Sequence, residues 1–247
     1  MATQSKYTFV STMNQKYFDR IGQYMLLSFF KYTNLNFEFH LYAEDIISNI
    51  PNNLSLKIFD WNVSCKHNWV EFCKKTTSSK DHKFAKKGFA FIHAMENANS
   101  EKLIWLDADI LFLKMFDKKI IDSTILKNKL IGLFDHSYLK DTVGYSAESG
   151  YVILNCNHPE YKNFVTQYKE YYTGPNKPAE IETWWDGQVC MLAASKFADH
   201  VYNLSNLRTD NSHTPLNSSS LSEYFIHCKG KKTKQLEEVR IQKKAGL

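Results

Sequence analysis

The 247-residue chain is predicted to fold as a single α/β domain, with a mostly parallel central sheet flanked by helices. Three features lead there. Over the first 60 residues, short strand-like runs alternate with helical stripes, the order that parallel strands with crossover helices require. Residues 103–106, Leu-Ile-Trp-Leu, are a short unbroken apolar run of the kind buried on both faces of a parallel sheet. Hydrophobic residues make up 43% of the chain, including 17 Phe, 14 Tyr and 5 Trp, enough for a core on both sides of a sheet.

Taken in order, residues 7–12 read as the first strand. Residues 15–33 carry a helical stripe of Phe18, Ile21, Met25, Phe29 and Tyr32, with Asn14 as the N-cap. Residues 37–42 alternate like a strand, 44–49 suit a short helix stopping at Pro51, and 56–59 form a short strand. Residues 61–82 are rich in Ser, Thr and Lys and are expected to form a long loop. A helix is predicted over 83–98, with Phe84, Gly88, Phe91, Met95 and Ala98 on one face. Apolar strands follow at 103–106 and 110–113, then a short helix within 118–127, strands at 130–134 and 150–155, and a Tyr-rich helix over 159–172. Gly174, Pro175 and Pro178 make 173–184 a loop; 186–198 is helical, 205–223 is a Ser/Asn-rich loop, and 224–227 is a last strand. No internal repeat or long linker divides the chain.

A net charge of +5 suits an acidic small-molecule ligand such as a nucleotide, and no basic stripe interleaved with exposed aromatics points to nucleic acid. The longest apolar runs fall far short of the roughly 20 residues that a membrane span needs. The cysteines, Cys65, Cys73, Cys156, Cys190 and Cys228, are odd in number and lack a Cys-x-x-Cys pair, which reads as reduced thiols of a cytoplasmic protein. The opening residues pass straight into a strand, so no signal peptide is expected. The sequons at Asn53, Asn62, Asn203 and Asn217 would then stay unmodified.

Asp107 and Asp109 stand between two apolar runs with only Ala108 between them. In extended backbone residues two apart share a side, so the two carboxylates would converge beside hydrocarbon. Such a pair is costly unless a positive charge joins it, and a divalent cation with oxygen ligands meets that need.

The motif and the order of elements around it resemble the nucleotide-sugar-dependent glycosyltransferases of the GT-A fold, close to the glycogenin-like families and their viral and bacterial relatives. The resemblance rests on the first strand and its loop, the lysine-bearing helix, Asp107-Ala108-Asp109, and His227-Cys228-Lys229-Gly230. It implies a single Rossmann-like domain over 1–247, with a nucleotide-binding part at about 1–115, an acceptor and sugar part at about 116–228, and a basic tail at 229–247 able to touch a membrane surface. It implies Mn²⁺ or Mg²⁺ on Asp107, Asp109 and His227, a UDP-sugar as the expected donor and a glycan or other hydroxyl as acceptor. Lys229 and Gly230 would contact the diphosphate, and Ser11, Thr12 and Tyr17 the base and ribose, with Tyr17 stacking on the base. Of the adjacent lysines, the helical wheel sets Lys87 on the flank of the buried stripe and Lys86 on the polar face, favouring Lys87 for the diphosphate or Asp107. Glu148-Ser149-Gly150 and Trp184-Trp185-Asp186-Gly187-Gln188 resemble the segments beside the transferred sugar, making Glu148 and Asp186 the candidate catalytic carboxylates. Glycogenin-like proteins have adjacent Asp-Gln where this chain inserts Gly187, which leaves the retaining and inverting courses open. The competing readings are a haloacid-dehalogenase-like phosphatase, whose motif would have Thr or Val where Leu111 stands, and a non-catalytic nucleotide-sugar-binding protein.

Overall fold

The computed structural model describes residues 6–33, 37–45, 48, 50, 56–135, 146–181, 183–207 and 214–229. Strand β1 (Tyr7–Met13) opens the fold. The Asn14 side chain accepts from the Tyr17 N–H at 2.8 Å and starts helix α1 (Gln15–Tyr17). A π-helical turn, Phe18–Gly22, joins it to α2 (Gln23–Tyr32). Strands β2 (Glu38–Ala43) and β3 (Lys57–Asp60), helices α3 (Trp61–Ser64), α4 (Lys66–Cys73) and α5 (Ser79–Glu96), and strand β4 (Lys102–Leu106) follow. Then come β5 (Ile110–Phe112), α6 (Lys118–Ser123), β6 (Ile131–Asp135), β7 (Ala147–Asn155), α7 (Tyr161–Thr173), α8 (Asp186–Ser195), β8 (Val201–Asn203) and β9 (Phe225–His227).

Seven strands form one sheet in the order β3-β2-β1-β4-β7-β6-β8. Neighbours run parallel except at β7, which is antiparallel to both β4 and β6. The expected α/β architecture with a mostly parallel sheet is therefore present. Successive residues of β4 serve opposite faces, as a strand buried on both sides must. Leu103 and Trp105 join the core under α5, α7 and α8, whereas Ile104 and Leu106 join the core with α2. Strands β5 and β9 pair antiparallel as a separate two-stranded sheet, with Ile110 opposite His227. That pairing brings the end of the described chain to the middle of the sequence.

The stretch 61–82 is not a long loop. It holds α3, α4 and the first turn of α5, started by Asp60, whose side chain accepts from the Asn62 N–H at 2.8 Å, and by Ser78, which accepts from the Asp81 N–H at 3.2 Å. Trp61 and Phe72 are buried. Trp61, Cys65, Trp69 and Phe72 recur at helical spacing on the inner face, a pattern masked by the polar residues of the outer face. Strand β8 was unforeseen, since three residues give no periodicity to read. In the expected 44–49 helix, Glu44 and Asp45 form a bend, Ser48 is not helical, and residues 46, 47 and 49 lie outside the described residues. All five cysteines are free. No helix among the described residues is long and apolar enough to cross a membrane.

Candidate active site

The site forms at the carboxyl ends of β1 and β4, where open α/β sheets place their ligands. β4 ends at Leu106 and the chain turns, with the Ile110 N–H donating to the Asp107 carbonyl at 3.1 Å. The two carboxylates therefore converge across a turn rather than along extended backbone as the sequence suggested. His227, at the end of β9, completes the group. Its Nε2 lies 3.1 Å from Asp109 Oδ1 and 3.6 Å from Asp107 Oδ2. One ligand atom from each of Asp107, Asp109 and His227 falls within 4.8 Å of the others.

Each member of the trio has a partner that fixes it. The Tyr17 hydroxyl donates to Asp109 Oδ2 at 2.7 Å. Burial and the Asp109 charge hold that phenol well above its ordinary pKa, so it stays a donor. Trp105 Nε1 donates to Asp107 Oδ1 at 3.1 Å. Glu148, 0% exposed, meets His227 Nδ1 at 2.7 Å and Lys229 Nζ at 2.9 Å, and Glu148 Oε2 accepts from the Leu216 N–H at 3.2 Å. A carboxylate that deep costs several kcal/mol unless it is paired, and here His227, Lys229 and the Leu216 N–H pair it. Burial alone would lower the His227 pKa, but the hydrogen bonds with Asp109 and Glu148 and the charge of Asp107 outweigh it and raise it to about 9.

Lys87 has the burial that the helical wheel implied. Its Nζ lies 2.5 Å from Asp107 Oδ1 and 2.6 Å from Asp186 Oδ2, donates to the Ser149 carbonyl at 2.9 Å, and sits over the Trp105 ring. Burial opposes its charge, and the two carboxylates overcome this and push its pKa up. Lys86 points elsewhere, to Glu44 at 3.1 Å and over Trp61 and Trp69.

An open cleft of about 360 Å³ lies over this cluster, within the range of small-molecule sites. Thr12, Tyr17, Lys87, Asp107, Ala108, Asp109, Asp186 and Lys229 line it. Ser11 does not, being fully buried in β1. Thr12 reaches the cleft, but its hydroxyl donates to the Tyr42 carbonyl at 2.9 Å. Tyr17 lines the cleft and is tied to Asp109 by its hydroxyl. Glu148, which the sequence suggested beside the sugar, stands behind His227 and outside the cleft lining. Gly230 and the rest of the basic tail lie outside the described residues. The two tryptophans part company. Trp184 is buried, with its Nε1 donating to the Tyr171 carbonyl, whereas Trp185 lines the cleft.

Two glycines permit close approaches. A Cβ on Gly150 would lie 2.6 Å from the His227 ring, so only glycine lets the imidazole lie against β7. A Cβ on Gly187 would lie 2.3 Å from the Ala147 carbonyl, which accounts for the glycine between Asp186 and Gln188. Sequence reasoning missed Ser149 and Asn217. It also missed Trp105, although its place two residues before Asp107 in a strand was a readable signal.

The donor set fits a divalent cation. Asp107, Asp109 and His227 each bring one ligand atom to the group, and the open cleft above it is lined also by Lys87, Asp186 and Lys229.

No protein-family model matches the chain, and no curated protein sequence does. Its fold does match solved structures. Mouse xyloside xylosyltransferase 1 in its apo form superposes with a TM-score of 0.55 at 13% identity, over 88% of this chain and 91% of that one. The bifunctional glycosyltransferase WbbM superposes with a TM-score of 0.60 at 13% identity, over 94% of this chain and 47% of that one. The galactosyltransferase LgtC, in complex with donor and acceptor sugar analogues, gives 0.51 at 12% identity over 81% of this chain and 74% of that one. The chain has the GT-A fold of glycosyltransferases.

Proposed function

We propose that the protein is a metal-dependent glycosyltransferase that moves a sugar from a nucleoside-diphosphate sugar, a UDP-sugar in the first instance, to a hydroxyl of a glycan acceptor. The observation that carries this reading is the Asp107–Asp109–His227 trio on the floor of a cleft lined also by Lys83, Lys87 and Lys229. Asp107, Asp109 and His227 would hold Mn²⁺ or Mg²⁺, which as a Lewis acid neutralises charge on the departing nucleoside diphosphate. Lys87 and Lys229 supply fixed positive charge beside it. Tyr17 and Glu148 keep Asp109 and His227 aimed at the cleft, the outer-shell role that metal ligands depend on. Asp186, at the first turn of α8, is the cleft carboxylate set to take a proton from, or orient, an incoming hydroxyl. The 1–115 part of the chain would hold the nucleotide, and 116–228 the sugar and acceptor.

The test is nucleotide release from a panel of sugar nucleotides with Mn²⁺, with Mg²⁺ and in excess EDTA. Turnover that needs the metal and stops in EDTA is expected; undiminished turnover in EDTA removes the metal from the scheme. Release of inorganic phosphate from a phosphomonoester, with no sugar transfer, would favour a phosphatase instead.

The lysine pair gives a second expected result. Lys87→Ala weakens donor affinity at least tenfold, about 1.4 kcal/mol, because a charge-assisted phosphate contact is lost. It also lowers the melting temperature, since Asp107 and Asp186 lose their shared cation. Lys86→Ala changes donor affinity by less than about threefold, a lost ion pair with Glu44 at the cleft edge being worth roughly 0–1 kcal/mol. Calorimetric titration of both variants with UDP and Mn²⁺ decides it; the reverse order would remove Lys87 from the donor site.

A further inference from the structure

We infer that Asn217 is a positioning residue for the metal centre, acting through the main chain of His227; this rests on the metal reading proposed above. β9 is only three residues long and pairs on one edge, with β5. On the main chain of its last residue, the place of a second strand is taken by one side chain. The His227 N–H donates to Asn217 Oδ1 at 2.7 Å, and Asn217 Nδ2 donates to the His227 carbonyl at 2.8 Å. A carboxamide has a donor and an acceptor at the spacing of a peptide unit, so it fixes both main-chain groups at once.

The segment carrying Asn217 is itself held. The Ser218 N–H donates to the Thr214 carbonyl at 3.1 Å, and the Ser219 N–H to the Leu216 carbonyl at 3.3 Å. Leu216 is fully buried and its N–H donates to Glu148 Oε2. Glu148 Oε1 in turn meets His227 Nδ1. The contacts close a ring: Asn217 fixes the main chain of His227, Glu148 fixes its imidazole, and Leu216 ties the two together. Nε2 is left facing Asp107 and Asp109. A ligand held at main chain and ring loses little freedom when it binds a metal, and loosening such a support weakens metal affinity by about 10–100-fold.

The same contacts bear on the sequon Asn217-Ser218-Ser219. A glycan on Nδ2 would crowd the amide against the His227 carbonyl, so this centre needs Asn217 unmodified.

The experiment is Mn²⁺ affinity of the full chain without nucleotide, read from the free-Mn²⁺ electron paramagnetic resonance signal, with the melting temperature measured alongside. Asn217→Ala removes both bonds. Asn217→Asp keeps the shape and the acceptor but sets a carboxylate against the His227 carbonyl. Both variants should bind Mn²⁺ at least tenfold more weakly than the wild type while folded at the assay temperature. Wild-type affinity in either folded variant overturns the inference, even if its melting temperature has dropped, because a merely structural Asn217 would lower stability alone. Absence of Mn²⁺ binding by the wild type overturns the metal reading and this inference together, whereas wild-type binding with unaltered variants overturns only this one.

Discussion

Asp109→Asn is expected to lower sugar transfer by about 10³-fold or more, corresponding to roughly 4 kcal/mol of the several kcal/mol that a metal supplies to a developing leaving-group charge. Asp109 is buried, and its carboxylate joins Tyr17 on one side and His227 on the other. Asparagine keeps an oxygen for the Tyr17 hydroxyl, so the fold should survive. It removes the charge that, with Asp107, would bind the cation. Asp109→Ala should have the same effect on turnover at greater cost in stability. Stranding the Tyr17 hydroxyl costs about 1–3 kcal/mol, against a typical total of 5–15 kcal/mol. Relief of repulsion between two carboxylates offsets part of that. The measurement is initial rate of nucleotide release with saturating Mn²⁺, with circular dichroism to confirm folding. A folded Asp109→Asn variant within tenfold of wild type would mean that the trio does not hold the catalytic metal.

Asp186→Asn is the second large effect, a loss of about 10²-fold or more in transfer, the usual scale when a positioned proton acceptor is removed. The residue opens α8 as its sequence context implied, but Trp185 is the N-cap and makes no side-chain cap bond. Asp186 therefore does not serve as the helix cap. The Lys87 ion pair, at 2.6 Å, couples Asp186 to Asp107 through one ammonium group. Asp186 is thus less independent of the metal site than its sequence position suggests. If the carboxylate acts only as an ion-pair partner, neutralising it should lower the melting temperature and leave transfer near wild type. If it meets the acceptor hydroxyl, transfer falls while UDP affinity in Mn²⁺ stays within about threefold, since Lys87 keeps Asp107. Transfer rate, UDP affinity and melting temperature on this one variant separate the two roles.

The architecture was legible in the sequence because the signals that set it are local. Apolar runs of four or five residues flanked by helical stripes specify strands buried on both faces, and the wheel of α5 put Lys87 rather than Lys86 beside the hydrocarbon. Lysine cannot lie there without an anion, so burial alone anticipated a partner for it. The Asp pair was legible for the same reason: carboxylates between apolar runs need a cation.

Tertiary structure decided what each of those groups faces. Glu148 read as a carboxylate beside the sugar, and only the packing of His227 against Gly150 turns it into the histidine's support. Tyr17 read as a base platform, yet its hydroxyl lies 2.7 Å from a carboxylate 92 residues away in sequence. Asn217 was readable only as a sequon, because a single Asn in a Ser-rich stretch is otherwise indistinguishable from a turn residue until β9 comes to lie beside it. Sequence periodicity reports which face of an element is buried. It does not report which groups from distant segments meet there, because those contacts are set by strand order and by the approach distances that two glycines allow.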